Sequence, residues 1–278
     1  MRQFICLAAL LVYMACSSSV SQEKVWTGEK DICNDSLNRT GEEDNSINDT
    51  IPAGAYALIK AYPSLIRSYK DNKIIFTDGT EMQYDDGREK TYLERLDDSD
   101  IEDMFFNPYK LSTDRPGYLE DAGRSRCDRL FKKIYGASAV QVQAKLVRVN
   151  WFGQTVRFTS VNGADKQLKR VAVEISKHPE LLKYMKCSGT FYWRNVRGAK
   201  RMSAHSYGIA IDIAVSYSDY WLWKNPRAKE TDTLAYANRI PRKIVEIFQC
   251  YGFIWGGAWY HYDTMHFEYR PELLIHAG

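Results

Sequence analysis

The stretch Ser203-Ala204-His205-Ser206-Tyr207-Gly208-Ile209-Ala210-Ile211-Asp212 decides how the rest of the chain is read. Ile209 to Ile213 form a short apolar run bounded by polar loop residues, the pattern of a buried strand. Strand alternation puts Ile209, Ile211 and Ile213 on one face and Ala210 and Asp212 on the other. A carboxylate inside an apolar strand is costly unless it is paired, hydrogen-bonded or bound to a metal. His205 precedes it in a loop that can reach the same point, with Gly208 between them. Downstream, Asp263-Thr264-Met265-His266 brings a second acid and a second histidine together. The two stretches are expected to meet around one zinc ion.

Catalytic zinc takes three protein ligands from His and Asp/Glu and leaves one position for water. His205, Asp212 and His266 are the ligand candidates. Water acidified by zinc becomes a nucleophile and needs a general base beside it. Asp263, in the loop before His266, is the candidate for that role. A positive group must meet the oxyanion or a substrate carboxylate, and Arg194 and Arg201 flank the loop that leads to His205. Arg201, Ser203 and His261 are the substrate-binding candidates, although His261 also reads as an ordinary loop residue. Glu268 shares a strand face with His266 and could orient it, or sit in a surface ion pair. Each element alone has a bland reading: a lone histidine is usually a satisfied structural residue, and a basic loop is usually solvated. The combination is what carries weight.

At these residues the chain resembles a known family. Ser203-Ala204-His205 through Asp212 looks like the S-x-H-x-x-G-x-A-x-D motif of the bacterial zinc D-alanyl-D-alanine peptidases. That family includes vancomycin-resistance dipeptidases and carboxypeptidases, and phage and sporulation L-alanyl-D-glutamate endopeptidases. Asp263-Thr264-Met265-His266-Phe267 resembles its second motif. The resemblance implies zinc on His205, Asp212 and His266, Asp263 as the general base, and Arg194 assisting the transition state. It implies a small α+β catalytic fold shared with the Hedgehog signalling domain, and it covers roughly residues 185–270. Glutamate is the usual base in the dipeptidases and carboxypeptidases. Aspartate, as at Asp263, is more typical of the endopeptidase branch.

The chain has 278 residues, enough for one large domain or two small ones. Its 38 basic and 35 acidic residues give a net charge of +3 and imply no strongly charged partner. No basic stripe or binding motif suggests nucleic acid. Seven Trp and 19 Tyr suit either a sugar or peptide groove or a well-packed aromatic core. At the N-terminus Arg2, an apolar run from Phe4 to Val12, and small residues from Ala15 to Ser19 follow the order of a secretory signal. Cys16 before Ser17-Ser18-Ser19 resembles a lipoprotein cleavage site, although Tyr13-Met14-Ala15 fits it poorly. Export to the bacterial cell envelope is therefore expected, with a membrane tether through a lipidated Cys16 as one route. Cys33, Cys127, Cys187 and Cys250 permit two disulfides. A Cys187–Cys250 bridge is the expected one, since both precede strands of the same half.

The expected organisation is a signal over residues 1–16, a polar linker over 17–50, and a folded region over 51–278. Within the folded region, about 140–278 is the peptidase core. Asn34, Asn38 and Asn48 sit in N-x-S/T sequons that matter only on a eukaryotic secretory route. Apolar spacing predicts a helix over 55–69 interrupted near Pro63, then a strand over 73–76 ending at Asp78-Gly79. An acidic helix start is read at 97–103, with Asp85-Asp86-Gly87 as a turn rather than a calcium loop. A helix is expected over 127–135, a hairpin around Gly153, and a helix over 165–185. In that helix Asp165 is the cap, Leu168, Val171, Ile175, Leu182 and Met185 form the buried stripe, and His178 is structural. Residues 190–193 read as a strand, 217–223 as an aromatic loop, 233–251 as a helix irregular at Pro241, and 253–255 and 266–269 as strands. Strands and helices mix without a βαβ rhythm, so the fold class is α+β, a small antiparallel sheet with flanking helices.

The expected function is exported zinc-dependent hydrolysis of peptide bonds in peptidoglycan stem peptides, leaning to L-alanyl-D-glutamate endopeptidase. D-alanyl-D-alanine carboxypeptidase on the same site is the alternative. A non-catalytic cell-wall binding module and a secreted signalling or structural domain are the alternatives of another class.

Overall fold

The computed structural model describes residues 51–111 and 115–277. The expected signal, linker, Cys16 tether and sequons lie outside these residues. No described helix is long and apolar enough to cross a membrane.

The described residues are mixed α and β, and every paired strand is antiparallel, in keeping with the α+β expectation. A helix over Ala53–Ala61 leads into the sheet β1 (Ile66–Lys70), β2 (Lys73–Phe76) and β3 (Glu81–Gln83). Helices over Tyr92–Asp97, Asp128–Tyr135 and Ala139–Gln143 precede the hairpin of β4 (Leu146–Trp151) and β5 (Gln154–Thr159). After the helix Ala164–Ser176 comes the third sheet. Its members are β6 (Cys187–Gly189), β7 (Ala210–Ile213), β8 (Phe253–Trp255) and β9 (His266–Tyr269), in the order β6-β7-β9-β8. The helices Arg242–Cys250 and Pro271–Ala277 flank it.

In this third sheet Asp212 pairs with His266, Ile211 with Phe267 and Ala210 with Glu268. Alternation therefore works as the sequence predicted. Asp212, His266 and Glu268 share one face, while Ile211 and Phe267 point to the other. There Phe267 stacks on Phe248 of the helix Arg242–Cys250 at 4.0 Å between ring centroids. Phe253 meets Phe248 edge-on at 5.5 Å, and Trp151 joins from β4. Burying each such ring is worth ~2–3 kcal/mol. One buried apolar cluster runs from Ala55 to Leu274, so residues 51–139 share a core with the strands that carry the site.

Several expected boundaries move. The 55–69 helix stops at Ala61, because Pro63 pushes Tyr62 out of the helical region, and residues 66–70 pair with β2 instead. The helix expected over 165–185 starts on a left-handed Gly163, with Asp165 in its first turn bonded to Lys169, and ends at Ser176. Pro179 then starts a 3-10 turn, so the register changes and Leu182 is exposed while Met185 is buried. The last long helix begins at Arg242, after Pro241. Residues 190–193 are not a strand. Pairing of β6 with β7 ends at Gly189, and the next residues bond the His205 turn, with the Tyr192 N–H donating to the His205 carbonyl at 3.2 Å. The expected Cys187–Cys250 bridge is absent: Cys187 is a free thiol, as is Cys127, while Cys250 is disulfide-bonded.

Candidate metal centre

The site is built on two neighbouring strands and one turn. Asp212 on β7 and His266 on β9 face each other across the ladder, with His266 Nδ1 2.8 Å from Asp212 Oδ1. His205 comes from the 3-10 turn Ala204–Tyr207 just before β7. Gly208 ends that turn with φ +67°, and its carbonyl accepts the Thr159 N–H. A side chain there would be strained and would collide with Leu146, so only glycine lets the turn press against β4 and aim His205 inward. His205 Nε2 lies 3.2 Å from Asp212 Oδ2 and 3.2 Å from His266 Nδ1.

The outer ring nitrogens have partners of their own. His205 Nδ1–H donates to the Thr190 carbonyl at 2.8 Å, and His266 Nε2–H donates to Glu268 Oε1 at 2.9 Å. With those protons outside, the inner Nε2 of His205 and Nδ1 of His266 present lone pairs to each other and to the Asp212 carboxylate. Three electron-rich groups at this spacing require a cation among them. It is either a proton or a metal ion. Burial opposes charge on His266, but Asp212 and Glu268 outweigh burial and raise its pKa to about 10. Burial likewise pushes Asp212 up, yet His205 and His266 hold it well below the usual carboxylate range. A His-Asp-His set with both outer protons engaged suits zinc, which displaces an inner proton when it binds.

Asp263 sits on the loop before β9. Its N–H donates to the Gly256 carbonyl at 3.0 Å, and its carbonyl accepts from the His266 N–H at 3.1 Å. Its Oδ1 is buried without a hydrogen-bond partner. Burial and the nearby Asp212 charge raise its pKa to about 7, against the opposing pull of His266 and His205. A carboxyl so placed can hold or release a proton near neutrality. The loop is clamped on its other side, where the Thr264 N–H donates to the Asp219 carbonyl at 3.0 Å and Tyr220 forms a bridge with Asp263. This clamp sets the exposed Trp223 close by, 6.1 Å from the Tyr220 ring.

The other candidates divide. The backbone of Arg194 is tied to the His205 turn through Ser206 Oγ at 2.9 Å and the Ser203 N–H at 3.0 Å. Its side chain is exposed and bonds the Asn195 carbonyl, so the structure does not aim it at the histidines. Ser203 is buried and serves the turn through its backbone. Arg201 is buried and paired with Asp97 at 2.7 Å and with Glu230 at 3.7 Å. His261 is buried with acceptors on both nitrogens, Asp121 Oδ2 at 2.7 Å and the Glu230 carbonyl at 2.8 Å. It therefore has no ring donor left for a substrate. Glu268, left open between a ligand-orienting role and a surface ion pair, is 1% exposed and bonds His266 directly. Sequence reasoning missed Arg124 and Arg126, which reach this region from far upstream. Their only sequence signal was two arginines just ahead of an amphipathic helix.

No curated protein and no solved structure matches the chain. Residues 197–269 match the family model described as D-alanyl-D-alanine carboxypeptidase, a segment that contains His205, Asp212, Asp263 and His266, and this supports a peptidase of the zinc family that the two motifs resemble.

Proposed function

We propose that this chain is a zinc peptidase that hydrolyses peptide bonds in peptidoglycan stem peptides, on a Hedgehog-like catalytic sheet formed by β6 to β9. The observation that carries the reading is the convergence of His205 Nε2 and His266 Nδ1, 3.2 Å apart, on the Asp212 carboxylate. His205 Nε2, an Asp212 oxygen and His266 Nδ1 would hold the ion. When bound, zinc supplies Lewis acidity that acidifies water and polarises a peptide carbonyl. Asp263 takes the proton from the attacking water and returns it to the leaving amine. Its buried, unbonded Oδ1 and raised pKa suit both steps. Arg194 would reach the oxyanion by turning its exposed side chain toward the His205 turn to which its backbone is fixed. The apolar N-terminal run before Cys16 supports export to the cell envelope, with the folded region tethered or released there.

Cleavage between L-alanine and D-glutamate is the preferred reaction. Aspartate at position 263 resembles the endopeptidase branch. Moreover, buried Arg124, Arg126 and Arg201 already carry carboxylate partners, Glu230, Glu268 and Asp97. A free terminal carboxylate would therefore have to be met by another cation, such as exposed Arg194, which this reading gives to the oxyanion. Removal of a terminal D-alanine is the second reading, favoured by the description of the matching family. Incubating the full chain with defined muropeptides and weighing the products separates the two. L-alanine left on the glycan with the remaining peptide released supports the endopeptidase, loss of a single D-alanine supports the carboxypeptidase, and no cleavage with zinc present refutes both.

A further inference from the structure

Behind the metal centre lies a buried row of charges that the proposed reaction does not use. Glu268 lies between two guanidinium groups. Arg126 Nη1 is 3.1 Å from Oε1, the oxygen that accepts from His266, and Arg270 Nη1 is 3.4 Å from Oε2. Both arginines also donate to one carbonyl, that of Gly123, at 3.1 Å each. Gly123 has φ +95° and packs on Ile254, so a side chain there would both strain the backbone and collide. Arg270 continues to Glu272, and Glu272 accepts from the Tyr62 hydroxyl at 2.8 Å. Arg126 is 6% exposed, Glu268 1%, and Arg270 and Glu272 0%.

Two arginines and two glutamates balance in charge. The two guanidinium groups hold the Glu268 side chain from both sides, one at each oxygen. A carboxylate at that place accepts the Nε2–H of His266 and so keeps the Nδ1 lone pair facing Asp212 and His205. Resting on the zinc reading above, we infer that Glu268 is the positioning residue of the metal centre. We further infer that Arg126 and Arg270, both outside the matched residues 197–269, set its orientation. Metal affinity is then governed in part by Arg126, which the two motifs do not contain.

The experiment measures zinc affinity of the full chain by competition with a chromophoric chelator, alongside thermal unfolding of the zinc-free protein. Glu268→Gln weakens zinc binding by about 10–100-fold, the range seen when such outer partners are lost. Glu268→Asp keeps the charge balance but withdraws the carboxylate by one methylene. It weakens zinc binding by roughly tenfold with little change in unfolding temperature, and it decides the matter if the glutamine variant does not fold. Adding Arg126→Gln to Glu268→Gln recovers part of the lost affinity, since it removes a guanidinium left uncompensated beside a dication. Asp121→Asn, in a charged cluster that does not bond the ligands, lowers the unfolding temperature and leaves zinc affinity unchanged. Wild-type affinity in both Glu268 variants overturns the positioning role, and a double variant no better than Glu268→Gln overturns the part given to Arg126. If His205→Ala abolishes zinc binding while the Glu268 variants do not weaken it, the inference fails alone. If the wild-type chain binds no zinc, the zinc reading itself has failed.

Discussion

Two buried clusters in this protein contain histidine and acid, and they are built to opposite ends. Around His261, every charge is answered. Asp121 and Glu230 share Arg124, the Tyr92 hydroxyl donates to Asp121, and both ring nitrogens have acceptors. Around His205 and His266, the outer nitrogens are held by Thr190 and Glu268, while the inner ones converge with each other on the Asp212 carboxylate. The first cluster is closed and holds the segment around Asp121 against the strand-bearing half. The second brings three possible metal-ligand side chains, His205, Asp212 and His266, within reach of one another. Histidine count or burial does not separate them. The balance of donors against acceptors does.

The largest effect expected from breaking this contrast is on the open side. Asp263→Asn should leave zinc bound and lower kcat by about 10²–10⁴-fold, the usual contribution of a general base. Steady-state kinetics on muropeptides with metal analysis of the same sample checks it, and an active variant would remove Asp263 from the mechanism. On the closed side, Asp121→Ala leaves His261 Nδ1 without its carboxylate and Arg124 with Glu230 alone, and should cost about 3 kcal/mol or more of stability, with zinc content unchanged. Denaturant unfolding measures this. The sign of its pH dependence follows from Asp121 itself. Burial opposes the charge, but Arg124 and His261 outweigh burial and hold its pKa below the ordinary value. The contribution is therefore complete above about pH 4 and shrinks as the pH falls toward the native value. A smaller effect is expected at the rim. Trp223 is half exposed near the Asp263 loop, and Trp223→Ala should raise KM a few-fold with kcat and stability nearly unchanged. A fall in kcat without a rise in KM would show that Trp223 acts on the Asp263 loop rather than on substrate.

The part of the site legible in the sequence was the part set by local rules. Strand alternation placed Asp212 opposite the apolar face, and the short spacing from Asp263 to His266 put the acid and the histidine on one loop-strand junction. Gly208 stood out only as a small residue between His205 and Asp212, and the structure shows the positive-φ turn that requires it. The α+β class and the strands 253–255 and 266–269 followed from the same patterns. What could not be read was non-local. Arg126 meets Glu268 across 142 positions, and Asp121 meets His261 across 140. Nothing in periodicity links such residues. The errors in helix length came from proline, which limits helices more firmly than apolar spacing suggests, stopping them ahead of Pro63 and Pro179 and delaying the last long one until after Pro241. The Cys187–Cys250 pairing failed because proximity of each cysteine to a strand says nothing about which strands are neighbours.

Zinc binding by His205, Asp212 and His266 is the central claim. Its most direct test is the zinc stoichiometry and affinity of the purified full chain, measured beside His205→Ala. Losing one of three ligands from a site worth roughly 10 kcal/mol should cost on the order of a thousandfold in affinity. The expected result is one zinc per wild-type chain, held below micromolar concentration and lost in the variant. A wild-type chain that binds no zinc, or one that His205→Ala binds equally well, would contradict the account.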